Sequence, residues 1–434
     1  MTAAPTPLRP AAEPLSRGRR ALALFALALG GFGIGSSEFV SMGLLPQIAD
    51  SLLPEMMASR PEQGLAQAGW AITAYALGVV IGAPALSLLA VRMSRTRIIL
   101  LLAIILAVST ALSALMPSFG LTLAARFLAG LPHGAYLGVA ALIAGTLLGP
   151  GSQGKGAALA MSGLTVATLA GVPLLTALGQ VHGWRVSFLV IAALFTLTAL
   201  LLRLTVPAQA APQGRRILDE LRAFRRVQLW VVMLIASIGF AGSFAVYSYI
   251  ADIGRQVAGL SAGHIPWLLA AAGLGATLGN VLGGIAADRS LMLTLLIGFP
   301  VYIAGMAAMM FTVTDPVGLT LTFALVNGAH SALSPAMQTW LMQISGRSEM
   351  LGAALHHGAF NISNALGALL GGAVIAAGLG LAAPTVVGTA LATAGFAMLL
   401  VTSALLRLRA RRRLAQLRAA QIQLASPEGA AVTG

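Results

Sequence analysis

Apolar residues gather into twelve long runs, at about 21–45, 68–91, 98–116, 121–147, 157–181, 186–206, 229–250, 266–287, 291–313, 317–344, 350–379 and 384–406. A helix rises about 1.5 Å per residue, so about 20 apolar residues cross the hydrocarbon core of a bilayer. The pattern therefore predicts an all-α membrane protein with twelve transmembrane helices. Its narrowest divisions are at Pro117 and beside Arg185, where neighbouring runs almost touch. The first run follows Arg17, Arg19 and Arg20 and continues past Glu38 to Pro46 without a convincing cleavage site. That is the signature of an uncleaved signal-anchor rather than of a signal peptide or twin-arginine signal. The widest polar break, 207–228, holds PAQAAPQG and then RRILDELRAFRRVQ, a hinge with an amphipathic surface helix expected from Arg215 to Arg226. The expected organisation is a tail (1–20), a six-helix bundle (21–206), the hinge (207–228), a second six-helix bundle (229–406) and a basic tail (407–434).

Composition agrees with the pattern. Of 434 residues, 58% are apolar and 9% charged, against roughly 25% charged in soluble domains. A water-facing surface cannot be built from so few charges, which excludes a soluble enzyme, a coiled coil or a disordered chain. The net charge of +14, from 26 basic and 12 acidic residues, would suggest nucleic acid in a soluble protein. Here the basic residues, 25 of them arginine, form short clusters between apolar runs without interleaved aromatics. In total 22 lie in or beside the tails and the loops after even-numbered runs, whereas Arg60, Arg185 and Arg255 lie on the opposite side and Arg126 within a run. An excess of arginine marks cytoplasmic loops, so both termini are expected in the cytoplasm. The basic segments 215–226 and 407–425 are either sites for anionic lipid or ordinary positive flanks. Cysteine is absent, and no metal or cofactor is expected. Lys155 is followed by Gly156, so no GxxxxGK[ST] nucleotide loop exists.

Six runs, a hinge and six runs invite a comparison of the halves. An offset of 197 takes Trp70 to Trp267, Gly78 to Gly275, Gly82 to Gly279, Arg92 to Arg289 and His133 to His330 without a gap. The halves are thus expected to be parallel, pseudo-symmetric repeats with a polar cavity between them near the bilayer midplane, the plan of a rocking transporter. On that plan Gly171 and Pro173, or Pro335, are either gating breaks in their helices or tolerated packing positions.

Glu38 and Arg126 are the plainly charged residues well inside the runs. Ionisable groups at membrane depth are costly and mark function by default. By run direction both belong in the outer half of the membrane. Glu38 is the proton-coupling candidate; Arg126 either tunes it or contacts substrate, and the rival is a fixed structural pair joining runs one and four. His133 is a second proton candidate, since imidazole titrates near neutral pH. His330, His356 and His357 are further ionisable or hydrogen-bonding groups. Neighbouring His356 and His357 should point about 100° apart on a helix, so they are not expected to face one ligand together. Asn327, Gln338, Asn361 and Asn364 are candidates for a polar lining, with Asn361 and Asn364 on one helix face. Tyr75, Tyr136, Phe244 and Tyr247 are candidate walls of the cavity, or else core. No convergent acid, nucleophile or metal set suggests an enzyme.

The motifs FGIGSSEFVSMGLLPQIA (32–49), ALGVVIGAP (76–84), RFLAGLPHGAYLGVAA (126–141), SGLTVATLAGVPLLTALGQ (162–180), GWRVSF (183–188), LGNVLGGIAADR (278–289) and LGAALHHGAFNISNALGALLGG (351–372) resemble the major facilitator superfamily. Within it they are similar to the drug:proton antiporter-1 family, near its arabinose-efflux-permease-like branch. The resemblance implies the major facilitator fold, matches Arg126 to the family's fourth-span arginine, and implies export of small molecules against entering protons. It also implies a conformer-steadying loop after the second span, where the usual acid is replaced by Val91 before Arg92, Arg95 and Arg97; the second-half copy keeps Gly284, Asp288 and Arg289. Asp288 is expected to face the start of the fifth span at Lys155. Glu349 is expected to supply the missing acid opposite Arg92 and Arg95, the alternative being unpaired, solvated loop charges.

The expected function is thus a secondary transporter of the inner membrane exporting drugs or sugar-like solutes by proton antiport. Its partners would be the small-molecule substrate, protons and the bilayer, with neither nucleic acid nor nucleotide, and the protein would be a monomer. The alternatives are a sugar or nucleoside carrier without strict proton coupling and a membrane-embedded sensor or receptor.

Overall fold

The computed structural model describes residues 16–90, 93–149, 151–209, 226–345 and 349–424. Every regular element among them is helical. The first half contains α1 (Arg17–Gly43), the short helices α2 (Leu45–Leu52), α3 (Pro54–Ser59) and α4 (Pro61–Ala68), then α5 (Trp70–Ala90), α6 (Arg95–Leu115), α7 (Phe119–Gly130), α8 (His133–Leu148), α9 (Gln153–Val166), α10 (Val172–His182) and α11 (Trp184–Thr205). The second half contains α12 (Val227–Tyr247), α13 (Ile265–Arg289), α14 (Leu291–Thr312), α15 (Pro316–Ser345), α16 (Glu349–Ala376) and α17 (Ala383–Leu424). Helices α7 and α8 form one broken span, and α9 and α10 another, joined by a π turn at Ala167–Gly171.

Local chemistry sets these boundaries. Ser16, Ser118 and Ser290 accept hydrogen bonds from the backbone amides of Arg19, Leu121 and Leu293 and so cap α1, α7 and α14. Gly183 takes φ +92°, a conformation that favours glycine, and turns α10 into α11 beside Arg185, where the apolar runs almost merge. Pro173 in α10 has no amide hydrogen to donate back along the helix, and the π turn stands just before it. The segment 46–67, outside the predicted spans, folds into α2, α3 and α4, each with proline in its first turn. The last helix continues without a break to Leu424, past the expected end of its span near residue 406. The surface helix expected from Arg215 to Arg226 falls almost wholly outside the described residues.

Among the described residues, eleven helical stretches are long and apolar enough to cross a membrane. The twelfth span of the fold is α15, which packs against α13, α14 and α16. It is less hydrophobic because Asn327, His330, Ser331, Ser334 and Gln338 occupy one face, toward the protein interior.

The 197-residue repeat is visible in helix packing. A Cβ on Gly78 would stand 2.1 Å from the Phe127 carbonyl oxygen, and one on Gly275 would stand 2.1 Å from that of Ala324, which is 197 positions after Phe127. Gly82 meets the Leu131 carbonyl and Gly279 that of Gly328 in the same way, at 2.0 and 1.9 Å. Helices α5 and α7 therefore cross as α13 and α15 do, with small residues letting the backbones touch, as membrane helices require when lipid is as apolar as their side chains.

The halves close on one side. The larger apolar core, built mostly by the second half, also contains Phe39, Met42, Leu45, Ala49, Leu65, Ala68, Ile72 and Val172 of the first. Apart from Val172, which follows the π turn, they come from the ends of the helices remote from the chain termini and from the short helices between them. Gly273 of α13 presses on the π turn, where its Cβ would stand 2.3 Å from the Thr168 carbonyl oxygen, and α4 packs across the seam on α16. The side remote from the termini is called the far face below, and the other the terminal face.

Candidate functional site: a cavity between the two halves

A cavity of about 210 Å3 lies between the halves. A single water needs about 10–15 Å3 of such space, so the cavity has room for a small organic molecule. It is lined from Glu38 and Phe39 toward Met161, Asn280 and Gln338, which lie nearer the terminal ends of their helices.

Glu38 stands at its inner end. The side chain is 2% exposed, and Asn364 of the opposite half donates to its Oε1 from Nδ2 at 3.0 Å. His133 Nδ1 lies 3.9 Å from Glu38 Oε2 and 3.2 Å from the Tyr75 hydroxyl. One carboxylate is thus contacted by α1's own half through an imidazole and by the other half through an amide.

Arg126 lies beside this group without forming an ion pair with Glu38. It is 1% exposed; Nη1 donates to Ser37 Oγ at 3.1 Å, and the guanidinium lies 4.4 Å from the Tyr75 ring centre and 5.3 Å from that of Phe188. Consecutive residues of a helix point about 100° apart, so Ser37 meets the arginine while Glu38 meets the cavity. The expected structural pair between spans one and four is therefore made through Ser37. Arg126 Nε and Nη2 are buried without hydrogen-bond partners, and aromatic faces supply part of the compensation for the buried cation.

His330 occupies the position related to His133. Its Nδ1 contacts Ser243 Oγ; Ser243 is held by Tyr302, whose hydroxyl accepts from the Ser243 amide at 2.6 Å. Rings of Phe240, Phe244, Phe360 and Tyr302 surround the imidazole, with centroids 4.6 to 6.0 Å away. The opposite wall carries Phe39, which stacks on Phe244 at 6.5 Å and tilts on Tyr247 at 5.7 Å across the seam.

Among the remaining lining candidates, Asn327, Gln338, His357 and Asn361 reach the cavity wall. Asn327 and Asn361 donate to carbonyls one turn earlier on their own helices, and Asn361 Oδ1 has no partner. His356 and His357 both reach the wall. The cavity wraps around two sides of α16, and His356 is steadied there by Ser334 at 2.9 Å.

Three candidates stand elsewhere. Tyr136 does not line the cavity: it fills the slot left by Gly30, whose Cβ would stand 1.9 Å from the hydroxyl, and donates to the carbonyls of Ala26 and Leu27 at 3.5 and 3.4 Å. It joins α8 to α1 as a packing residue. Tyr75 lies behind the wall between Arg126 and His133, and Asn364 lies behind Glu38.

The gating candidates divide in the same way. Gly171 packs in the π turn against Phe32 and Ser36 of α1, with Pro173 buried just after it. The expected facing of Asp288 with the start of α9 is not formed: Asp288 and Lys155 are both exposed and make no ion pair among the described residues. The reason is geometric, because the halves meet at the far face and these residues belong to the terminal face. Arg289 is exposed and donates to the carbonyl of Ile285 in its own helix; Arg95 is half-buried with Nε unpartnered. Arg92 and the Glu349 side chain lie outside the described residues.

Several lining residues were not singled out in the sequence: Phe39, Thr165, Thr168, Ser243, Asn280, Ser331, Ser334 and Phe360. Two of these were detectable. Asn327, Ser331, Ser334 and Gln338 recur at intervals of four, three and four, a polar stripe at helical period. Ser243 had no such signal, since only folding places it against His330.

Two like halves of membrane helices around a closed-ended polar cavity define a membrane carrier. The chain belongs to the Major Facilitator Superfamily, whose sequence profile matches residues 27–349. It is 34% identical over 378 residues to the Inner membrane transport protein YdhP of Escherichia coli (strain K12), covering 87% of this chain and 94% of that one. It is 30% identical over 354 residues to the Chloramphenicol resistance protein of Streptomyces lividans, covering 80% and 88%. Among solved structures, a bacterial homologue of the human lysosomal transporter Spinster, in an inward-facing and occupied conformation, aligns with a TM-score of 0.68 at 20% identity, covering 89% of this chain and 97% of that one. The last likeness concerns the fold alone. This chain is a multi-pass membrane transporter rather than an enzyme, and its relatives agree with the drug:proton antiporter branch that its motifs resemble.

Proposed function

We propose that the protein exports small lipophilic molecules from the cytoplasm by proton antiport, with Glu38 as the proton carrier. The observation that carries this reading is the Glu38 carboxylate, placed on the cavity wall and hydrogen-bonded to Asn364 of the opposite half. A proton gained or lost there changes a contact between the halves, so proton occupancy and conformation become linked. His133, 3.9 Å away, offers a path for that proton. The arginine distribution supports an orientation with both termini in the cytoplasm, in the inner membrane. The cavity would then load from the cytoplasm, as an exporter requires. No partner copy is needed to complete it, in keeping with a monomer.

The aromatic walls at Phe39, Phe244, Tyr247 and Phe360, with several imidazoles and amides, suit a drug-sized aromatic or lipophilic solute better than a sugar. A relative named for chloramphenicol resistance supports the same choice. Proteoliposomes with an imposed pH gradient test the reading, with chloramphenicol and ethidium as probes and Glu38→Gln beside wild type. The expected result is pH-driven transport in wild type and a loss of tenfold or more in the variant, with exchange of labelled for unlabelled probe retained. Unchanged pH-driven transport in Glu38→Gln removes the residue from coupling.

A further inference from the structure

The far-face seam buries a second carboxyl group that takes no part in the central cavity. After α12 the chain forms a helical turn, Ile250–Asp252, and a π turn, Ile253–Val257. The first of these packs against α1 and α2 of the other half. Asp252 is 3% exposed. Its Oδ1 accepts from Gln256 Nε2 at 3.3 Å, whereas Oδ2 is buried without a partner. A buried ionised carboxylate with half of its acceptors empty is costly, and a proton removes most of that cost.

The neighbouring charges do not compensate. Asp50 approaches from α2 with like charge, and Arg255, on the π turn, is exposed and forms no ion pair with Asp252. Beyond Glu38, α1 brings no ionisable residue to this end. Tyr249 is committed to the Ala368 carbonyl at 2.8 Å. Burial pushes Asp252 up to about 7, with Arg255 and Gln256 holding it back and Asp50 adding to the rise.

We propose that Asp252 is a proton-binding site of the far-face seam, separate from the central cavity, whose occupancy favours closure of that face. A proton from water on the far side binds the exposed carboxylate when the seam is open, and closure then buries a neutral acid. This proton stays at the gate and is not the one carried through the cavity. The sign follows from linkage. The closed form holds its proton up to about pH 7, whereas an exposed aspartate loses it near 4. Closure is therefore fully favoured below about pH 4, weakens as pH rises toward 7, and is level above it. An acidic far side thus promotes the return of the carrier to the terminal-face-open form.

The test needs no substrate. The chain has no cysteine, so Ser59→Cys and Leu379→Cys, exposed positions on the far side of the two halves, can carry spin labels in the full-length protein in nanodiscs. Distances are read by pulsed electron resonance between pH 4.5 and 8. The closed-to-open ratio is expected to fall by up to tenfold per pH unit to about pH 7 and then level off. In Asp252→Asn the ratio should stay flat, and in Glu38→Gln the pH response should persist, which separates the gate from the cavity carboxylate. Asp50→Asn, a surface change, should lower the upper limit of the window. A response that survives in Asp252→Asn, disappears in Glu38→Gln or is absent from wild type overturns the proposal. So does a window that Asp50→Asn leaves unmoved, which keeps the test decisive if Asp252→Asn fails to fold.

Discussion

Replacing Asn364 by alanine removes the amide that α16 donates to Glu38 across the two halves. The bond is 3.0 Å long, with Asn364 fully buried and Glu38 2% exposed, so water does not replace the lost donor when the halves are together. Hydrogen bonds to charged groups contribute about 1.5–3 kcal/mol, while those measured between membrane helices average about 0.6 and reach about 1.7. A cost of about 1–2 kcal/mol to the far-face-closed form follows, because separating the halves exposes Glu38 to other donors. That corresponds to a shift of about 5- to 30-fold toward opening at the far face. Spin labels at Ser59→Cys and Leu379→Cys measure this ratio directly, and a double-mutant cycle with Glu38→Gln isolates the pairwise part. If Asn364→Ala lowers thermal stability but leaves the open-to-closed ratio within twofold of wild type, the bond holds the fold together without linking the carboxylate to conformation.

Two further outcomes test the packing and the buried cation. Gly275→Ala places a methyl group 2.1 Å from the Ala324 carbonyl and should destabilise the protein by about 1–3 kcal/mol, as overpacking does; Gly284→Ala, with nothing within 4 Å, should leave the melting temperature unchanged, and equal shifts in the two would refute the close crossing of α13 and α15. Arg126→Lys keeps the charge but not the planar group that spans Ser37, Tyr75 and Phe188, so transport should fall at least tenfold with expression retained; near-normal transport in the lysine variant would show that charge alone suffices.

Helical membrane architecture was legible in the chain, because a spanning segment must be predominantly apolar over about 20 residues and that constraint is local. The repeat was legible as well, and its structural meaning is concrete: Gly78 with Phe127 and Gly275 with Ala324 are the same contact made twice. The twelfth span, α15, was weaker in hydropathy because Asn327, His330, Ser331, Ser334 and Gln338 turn toward the cavity. The helices α2, α3 and α4 were missed because each is too short to show an apolar period, although Pro46, Pro54 and Pro61 marked their first turns.

The sequence by itself determined that Glu38 and Arg126 are the charges at depth, since both fall inside apolar runs long enough to cross the bilayer. Their partners were decided only in three dimensions. Arg126 meets Ser37 rather than Glu38 because one step along a helix rotates a side chain by about 100°, and Tyr136 leaves the cavity for the slot that Gly30 opens. Asn364 reaches Glu38, and Asp252 is buried against the other half, because the two bundles close at the far face. That closure is a relation between segments more than 200 residues apart in the chain, and no local pattern of hydrophobic and polar positions encodes which ends of the helices meet.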